Sequence, residues 1–411
     1  MNTASEKSAA RPLAAIIGGG PAGLAAAERL CEAAEVHVFD AMPSLGRKFL
    51  LAGKSGLNIT HGEAFETFLT RFGPARERLE PALRGFTPEA IRQWAAELDI
   101  ETFEGSSGRI FPRAMKASPL LRAWLANLRK KGVVFHPRHK WIGWTDAGAL
   151  RFATPEGEVT VEAAATVLAL GGASWPRLGS DGGWAERLEA RSIEIAPLRA
   201  ANCGFDVAWS ALIKERFAGA PVKSVTLAHG GESVKGDFVV TETGVEGSAI
   251  YALSAGLRDA IHRDGEARLT LDLAPDRSEE RLARELASPR GKASLANHLR
   301  KKAGIDGVKA ALLRETELPE VFSNPDALAH AIKHLDVTLL RPRPVAEAIS
   351  SAGGIALDEL DADFMLKKLP GTFAAGEMLD WEAPTGGYLL SACLATGRAA
   401  GDGAARYLKR S

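Results

Sequence analysis

Residues 15–30 read AIIGGGPAGLAAAERL, and this stretch decides the fold. An apolar run leads into a glycine-rich turn, and an alanine-rich helix follows. The glycines have the G-x-G-x-x-G spacing, in which the first allows a sharp turn, the second lets the backbone approach a pyrophosphate, and the third lets the helix pack on the strand. The helix N-terminus would then face the phosphates. The predicted contact positions are Gly18, Gly20, Pro21, Ala22 and Gly23.

A second apolar strand, residues 36–39, ends at Asp40, about 20 residues past the glycines. An acidic side chain at this point typically binds a ribose hydroxyl. A glycine triplet alone is weak evidence, and a plain packing turn is the alternative. Strand, turn, helix, strand and acid in this order predict a dinucleotide site.

The composition limits the classes of partner and compartment. The chain has 411 residues, 46% of them hydrophobic, so we expect two or three globular domains. Because Lys+Arg 51 balance Asp+Glu 51, no overall charge favours nucleic acid or an anionic membrane, and neither partner is expected. No stretch is long and apolar enough to predict a membrane span.

The three cysteines, Cys31, Cys203 and Cys393, are far apart in sequence. They form no Cys-x-x-Cys pair, metal-ligand spacing or disulfide framework. We therefore predict a cytoplasmic protein without a metal site.

The segment of residues 41–61, AMPSLGRKFLLAGKSGLNITH, follows the second strand and is rich in Gly, Lys, Ser and Asn. Such a segment is predicted to be a loop that lies along the nucleotide. Arg47 and Lys48, close to a phosphate site, favour contact over the alternative of a surface loop. Ala41 is the first residue of this segment.

Two later turns resemble the first in their glycines. Residues 165–170 predict a buried strand that stops at Gly171 and Gly172. A short strand ends at Gly376 and Glu377, and a helix over residues 389–400 follows a glycine pair. Ligands of an open α/β sheet bind at the carboxyl ends of its strands, so these turns should reach the same cofactor. A packing helix whose glycines allow close approach is the alternative.

The middle of the chain differs in pattern. Short alternating strands predict an inserted antiparallel β domain at residues 198–275, and a charge-laced helical subdomain follows at residues 276–345. Residues 1–197 and 346–411 would then form one discontinuous nucleotide-binding domain.

With these residues in hand, the chain resembles the HI0933-like family of FAD-binding flavoproteins over almost its full length. The resemblance implies an α/β fold: a glutathione-reductase-type, FAD-binding Rossmann-like domain interrupted by a β-barrel and a helical subdomain. The motifs that carry it are IIGGGPAGLAAA, GRKFLLAGKSGLNITH, GRIFP, LALGGASWPRLGSDG, AGGIALDEL and GTFAAGEMLDWEAPTGGYLLSACLATGRAAG.

The resemblance also implies roles along the cofactor. The adenosine ribose would lie on Asp40, the ribityl chain on Glu377, and the isoalloxazine ring near residues 387–389. The remaining positions implied to bind FAD, besides those of the first turn, are Ala41, Arg47, Lys48, Asn58, Ala169, Gly171, Gly172, Gly376, Gly387, Tyr388 and Leu389.

One segment departs from the family pattern. Many relatives carry an S-G-G-G-R-C-N-x-T-N run where this chain has AGKSGLNITH at residues 52–61. Gly56 replaces the arginine and Leu57 the cysteine, which argues against chemistry that needs a thiol there.

These features predict an FAD-dependent oxidoreductase whose flavin ring lies between the FAD domain and the insert, with a small organic substrate. A second G-x-G-x-x-G is missing, which argues against a separate nicotinamide-binding domain. Transient binding of NAD(P)H at the flavin would need no such motif, so NAD(P)H stays a candidate electron donor. No catalytic residue is assigned; the candidate acids and bases are Lys54, His61, Arg109 and Tyr388.

Three alternatives remain: a flavin-dependent enzyme or binding protein that acts on RNA, a flavin-binding protein without turnover, and an NAD(P)-dependent dehydrogenase without flavin. The substrate and the oligomeric state are left open.

Overall fold

A computed structural model describes residues 11–53 and 56–410. The chain divides into two compact units. Unit 1 contains the chain up to Arg199 and again from Ser350 onward, and unit 2 is Ala200–Ile349. Candidate Lys54 lies outside the described residues.

The strands are numbered in chain order. They are β1 (Leu13–Ile17), β2 (Glu35–Asp40), β3 (Thr60–His61), β4 (Thr102–Glu104), β5 (Arg109–Pro112), β6 (Val134–Pro137), β7 (Lys140–Trp144), β8 (Leu150–Thr154), β9 (Gly157–Val161), β10 (Ala165–Leu168), β11 (Ile195–Ala201), β12 (Phe205–Asp206), β13 (Pro221–His229), β14 (Glu232–Val240), β15 (Gly244–Glu246), β16 (Ala267–Asp272), β17 (Leu335–Leu339), β18 (Arg341–Pro342), β19 (Ser350–Ile355) and β20 (Thr372–Ala374).

The α-helices are numbered in the same way. They are α1 (Pro21–Leu30), α2 (Arg47–Ala52), α3 (Phe65–Thr70), α4 (Arg76–Gly85), α5 (Pro88–Glu97), α6 (Ala117–Lys130), α7 (Ala185–Glu189), α8 (Ala211–Phe217), α9 (Ser248–Asp264), α10 (Glu279–Leu286), α11 (Leu295–Ala303), α12 (Gly307–Thr316), α13 (Pro325–Lys333) and α14 (Tyr388–Arg410).

A five-stranded parallel sheet forms the centre of unit 1, in the order β20-β10-β1-β2-β6. Ile16 of β1 lies between Val38 of β2 and Val167 of β10, and all three side chains are buried. Fully buried parallel strands read as continuous apolar runs, as β1 and β10 do. Because the strands are parallel, the turns after β1, β2, β10 and β20 emerge at the same edge of the sheet.

Helix α14 packs against α1 through glycines. A Cβ on Gly397 or Gly401 would collide with the backbone of α1 at Ala22 or Ala26. Small residues therefore let the two helices approach closely. The helix predicted over residues 389–400 continues to Arg410.

The predicted loop of residues 41–61 contains regular structure instead, and the GRIFP motif of residues 108–112 contains a strand. Residues 47–52, RKFLLA, form α2 inside the segment predicted as a loop, because good helix formers interrupt its glycines. Residues 109–112 form β5, which pairs with β3 and β4. Pairing with a strand that lies about fifty residues earlier leaves no local sequence signal.

Unit 2 contains a seven-stranded antiparallel sheet in the order β17-β16-β13-β14-β15-β12-β18. Its strands and helices share one hydrophobic core, to which β16, α10 and α13 contribute Leu269, Leu282 and Ile332. Strands β17 and β18 follow the helices in the chain and complete the sheet. The predicted division between residues 275 and 276 therefore does not separate two compact units.

The predicted β-barrel is not seen, since in residues 200–349 no pairing joins the edge strands β17 and β18. Across the described residues, no helix is both long enough and apolar enough to cross a membrane.

Candidate functional site

The glycine turn between β1 and α1 is tightly packed at its first and third glycines and open at its second. Gly18 has φ of 109°, and a side chain there would collide with the backbone of Ala169, just after β10. A Cβ on Gly23 would collide with the Gly18 carbonyl oxygen, whereas at Gly20 the same position is open. Helix α1 begins at Pro21 without a side-chain cap among the described residues, so its first N–H groups suit a bound anion.

Asp40 ties the end of β2 to this turn. Its Oδ2 accepts the N–H of Gly19 at 2.8 Å, and its Oδ1 accepts the N–H of Met42 at 2.8 Å. Burial raises the pKa of Asp40, and the two hydrogen bonds and the charge of Arg47 offset this only in part. A carboxylate offers about four lone-pair sites, so a ribose hydroxyl can still bind here. Ala41 is exposed beside it.

Arg47 and Lys48 begin α2, directly after a glycine in the left-handed conformation, Gly46 (φ 68°). The Gly46 N–H donates to the Gly19 carbonyl at 2.9 Å, which fixes α2 beside the glycine turn. The Nε of Arg47 is buried and has no hydrogen-bond partner in residues 11–53 and 56–410. An unpaired buried N–H is costly, and a phosphate oxygen would satisfy it.

Lys48 and Glu377 form an ion pair. The Nζ of Lys48 donates to Glu377 Oε2 at 2.6 Å and to Ser174 Oγ at 2.7 Å. The other carboxylate oxygen, Oε1, accepts the N–H of Ser351 at 2.9 Å. The two charged side chains are 25% and 13% exposed, so solvent screens the pair only in part. Sequence reasoning missed Ser174 and Ser351; the one available signal was that Ser174 follows the glycine pair after β10.

The three glycine-bearing turns meet at this pair. A Cβ on Gly172 would lie 3.5 Å from the Glu377 carboxyl carbon, and one on Gly171 would lie 3.9 Å from its Oε2. A Cβ on Gly376 would lie 2.7 Å from the Cβ of Ala22, in the first turn of α1. The structure therefore brings the turns after β1, β10 and β20 together, as the parallel sheet requires.

Asn58 presents a second buried atom without a partner in the described part of the chain. The backbone N–H groups of its neighbours Leu57 and Ile59 donate to carbonyls at 2.8 and 2.9 Å, which holds this segment in place. The Oδ1 of Asn58 is buried, and the described residues offer it no hydrogen-bond partner. Together with Arg47 Nε, this atom fits a polar ligand such as FAD, whose phosphates accept hydrogen bonds and whose hydroxyls and ring donate them.

The start of α14 lies against β3. Gly387 has φ of 96°, and a Cβ there would lie 2.6 Å from the backbone of Thr60. Tyr388 follows and stacks on the His61 ring, with centroids 5.3 Å apart and planes 19° apart. Leu389 is half-buried. Two of the predicted candidates, Tyr388 and His61, are thus in contact.

The carboxylate of Glu63 accepts hydrogen bonds from both Tyr388 and Arg71. The Tyr388 hydroxyl donates to Glu63 Oε1 at 2.6 Å, and Arg71 Nη2 donates to Glu63 Oε2 at 2.6 Å. Burial alone would raise the pKa of Glu63, but the hydrogen bonds from Arg71 and Tyr388 outweigh it and lower the pKa. Burial and the hydrogen bond to Glu63 raise the pKa of Tyr388, which keeps the phenol protonated.

Arg109 faces His61 across the pair of β3 and β5. Sequence reasoning missed Glu63 and Arg71, because neither belongs to a recognisable motif. An acid two residues after a candidate histidine was the only local signal.

Cys393 lies one helical turn into α14, near the turn that carries Glu377. Burial raises the pKa of its thiol to about 12, and the charge of Glu377 acts in the same direction. The thiol is therefore protonated at neutral pH and is a poor nucleophile.

One characterised protein aligns with this chain over almost the full length of both. The 3-dehydro-bile acid delta(4,6)-reductase of Clostridium scindens is 24% identical over 408 residues, which cover 95% of this chain and 98% of that protein.

Two solved structures are similar over nearly the whole chain. The 3-ketosteroid-delta4-(5alpha)-dehydrogenase from Rhodococcus jostii, in complex with 4-androstene-3,17-dione, is 17% identical, with coverage of 98% of this chain and 99% of that one and a TM-score of 0.50. The 3-ketosteroid delta1-dehydrogenase from Sterolibacterium denitrificans, in complex with 1,4-androstadiene-3,17-dione, is 13% identical, with coverage of 96% and 99% and a TM-score of 0.53. At these identities the likeness shows a common fold.

The family comparison is more specific, because it covers both parts of unit 1 and all of unit 2. The model of the HI0933-like protein Rossmann domain matches residues 13–403. The chain therefore belongs to the HI0933-like family.

Proposed function

We propose that this protein is an FAD-dependent oxidoreductase that acts on a small organic substrate. The observation that carries the proposal is the meeting of three glycine-bearing turns at the Lys48–Glu377 pair. Two buried polar atoms, Arg47 Nε beside the first turn and Asn58 Oδ1 in the segment before β3, have no hydrogen-bond partner among the described residues. Family membership and a relative that is a reductase support the same reaction class.

Each group near the turns has a binding role in this proposal. The N–H groups of α1 and the guanidinium of Arg47 would bind the pyrophosphate, since both present donors to an anion. Asp40 would accept a ribose hydroxyl. Glu377, held by Lys48 and the Ser351 N–H, would accept a ribityl hydroxyl in a fixed orientation.

Support for a substrate class comes from the Clostridium scindens relative, whose name, 3-dehydro-bile acid delta(4,6)-reductase, indicates reduction of a 3-oxo compound at delta(4,6) double bonds. Bound FAD supplies hydride transfer, and the protein supplies orientation and a proton. We propose a conjugated ketone as the substrate of this chain as well. Saturation of its double bond requires one hydride at the carbon remote from the carbonyl and one proton at the adjacent carbon.

Tyr388 is the proposed source of that proton. Its phenol is protonated and forms a hydrogen bond to Glu63 at 2.6 Å, and Glu63 is held in turn by Arg71. Because its O–H donates to Glu63, the phenol would have to turn from Glu63 to give its proton to the substrate carbon. General acid catalysis of this kind typically contributes about 10²–10⁴-fold to a rate.

The test is an anaerobic half-reaction. The purified protein, loaded with FAD and reduced by dithionite, is mixed with a 3-oxo-4-ene steroid or with the matched saturated 3-oxo steroid as control. We expect the flavin absorbance to return with the enone alone. Parallel samples reduced by NADH or NADPH test the nicotinamide donor.

Two outcomes would contradict parts of the proposal. Absence of reoxidation by the enone and by quinone and imine acceptors, with FAD bound, would show a binding protein without turnover. An unchanged rate of reoxidation in Tyr388→Phe would remove Tyr388 as the acid, whereas a fall of about 100-fold supports that role.

A further inference from the structure

A group of three potential metal ligands lies in unit 2, away from every motif discussed so far. Glu279, His330 and His334 bring one carboxylate and two imidazoles together, with their ligand atoms within 4.8 Å of one another. His330 Nδ1 is 3.1 Å from Glu279 Oε1, and His334 Nε2 is 3.3 Å from Glu279 Oε2. The prediction of no metal site rested on cysteine spacing and did not consider these residues.

Two packed helices hold the three side chains. Glu279 is the first residue of α10, whose buried face contains Leu282. His330 lies in α13, and His334 caps its end with an N–H that donates to the His330 carbonyl at 2.8 Å. His334 is the C-cap residue just past α13, four positions after His330, and both rings lie against the Glu279 carboxylate. The two imidazoles are therefore preset toward Glu279, with ring centroids 4.6 Å apart.

We propose that Glu279, His330 and His334 bind a divalent transition-metal ion of the zinc class. Bonds of about 2.0–2.2 Å to nitrogen and oxygen place the ligand atoms of a tetrahedral Zn²⁺ site about 3.3–3.6 Å apart. The distances of 3.1 and 3.3 Å run from the imidazole nitrogens to different Glu279 oxygens, and all the ligand atoms lie within 4.8 Å of one another. Small side-chain rotations would therefore bring one oxygen and both nitrogens to this spacing. Imidazole ligands favour Zn²⁺, Ni²⁺ or Cu²⁺ over Mg²⁺ and Ca²⁺.

Exposure determines what the bound ion can do. The side chains of Glu279, His330 and His334 are 38%, 64% and 52% exposed, so water would complete the coordination. The ion would cross-link α10 to α13, two helices separated by about forty residues of chain. A ligand that binds only the folded state stabilises it, so the ion should stabilise unit 2. This inference does not depend on the proposed flavin chemistry.

The alternative is a surface ion pair, in which the imidazoles simply hydrogen-bond to Glu279. Such a cluster would exist without a metal and would take up none. The two interpretations differ in stoichiometric metal uptake.

The experiment uses the untagged full chain, treated with a chelator and then titrated with Zn²⁺ in a calorimeter and in thermal unfolding. We expect one Zn²⁺ per chain with low-micromolar affinity, a rise of a few degrees in the unfolding midpoint, and no competition from millimolar Mg²⁺. The double variant His330→Ala/His334→Ala should lose at least about tenfold in affinity, and Glu279→Gln should also weaken binding.

His262→Ala is the matched control, because it removes an exposed histidine of unit 2 outside the group. It should bind Zn²⁺ like the wild type. The proposal is overturned if the wild type shows no saturable binding, or if the double variant binds Zn²⁺ as tightly as the wild type does.

Discussion

The glycine turn after β1 and the Lys48–Glu377 pair both lie in unit 1, yet the chain builds them in opposite ways. The turn is made from residues adjacent in sequence, and its geometry is fixed by backbone restrictions at Gly18 and Gly23. The pair joins residues 329 positions apart, and its other partners come from two further segments. The first is a property of local sequence, whereas the second exists only once the sheet has formed.

Substitutions in these two regions should therefore have different effects. A substitution in the turn should either destabilise the fold through a steric collision or weaken FAD binding by blocking the approach of the pyrophosphate. Substitutions at different glycines can separate these two effects. A change in the pair should act on stability and ligand orientation together, because the same carboxylate serves both.

The largest effect is expected for Gly18→Ala. Its φ of 109° is strained for alanine, and the methyl group would collide with the backbone of Ala169. Strain and overpacking together should lower the free energy of unfolding by roughly 2–6 kcal/mol. Urea unfolding followed by circular dichroism measures this.

Gly20→Ala is the matched variant, two residues away. The space around its Cβ is open, so the free energy of unfolding should change by less than about 1 kcal/mol. Its FAD affinity should fall at least about tenfold, because the methyl group would stand where a pyrophosphate approaches. Wild-type FAD affinity in Gly20→Ala would contradict the role given to the turn.

A smaller effect is expected for Glu377→Gln. The substitution leaves the ammonium of Lys48 partly buried without its counter-charge, at a cost of about 1–3 kcal/mol in unfolding free energy. Lys48→Met combined with Glu377→Gln should show coupling of about 0.5–3 kcal/mol in a double-mutant cycle. The exposed Glu189→Gln in α7 is the control and should stay within about 0.5 kcal/mol of the wild type. Additive effects would show that the pair contributes nothing as a unit.

Tyr388→Phe tests a second contact between distant residues, since Tyr388 and Glu63 are 325 positions apart. Glu63 keeps its ion pair with Arg71, and the substitution removes the hydrogen bond from the Tyr388 hydroxyl to Glu63. The free energy of unfolding should fall by about 0.5–1.5 kcal/mol. A loss of several kcal/mol would instead show that the phenol holds β3 and α14 together.

The smallest effect is a difference in pH dependence between Asp40, beside the glycine turn, and Glu63, which binds Tyr388 and Arg71. The pKa of Glu63 is lowered in the folded state, so its stabilising contribution is present above the ordinary glutamate value, about 4.3, and is lost as the pH falls through the folded value. The pKa of Asp40 is raised by burial, so its contribution is present below the ordinary aspartate value, about 3.9, and is lost as the pH rises through the folded value.

Glu63→Gln and Asp40→Asn should therefore change the slope of stability against pH in opposite directions. Urea midpoints measured across the acid range check this, with the exposed Asp146→Asn as control. Slopes that change in the same direction would contradict one of the two pKa assignments.

The same contrast explains what the sequence could predict. The sequence predicted the glycine turn and the acid after the second strand, because strand, turn and helix constrain these positions within a short stretch. They are Gly18, Gly20, Gly23 and Asp40. Parallel strands also indicated that the turns after β10 and β20 emerge at the same edge as the turn after β1.

Contacts between distant segments were not predictable. Ser351 binds Glu377 through a backbone N–H, and any residue type except proline could supply that group. The hydrogen bond between Glu63 and Tyr388 exists only because the fold places the start of α14 beside β3. Strands β17 and β18 join the sheet of unit 2 after an intervening run of helices, so a boundary drawn where the local pattern changes was misleading.

The central claim is that the three glycine-bearing turns of unit 1 bind one FAD. The most direct test is the absorption spectrum of the purified full chain, followed by titration of its flavin-free form with FAD and, separately, with NAD and NADP. The account predicts a yellow protein that takes up one FAD per chain, and weaker uptake by Gly20→Ala. A colourless protein that takes up no FAD, whether or not it binds a nicotinamide nucleotide, would contradict it.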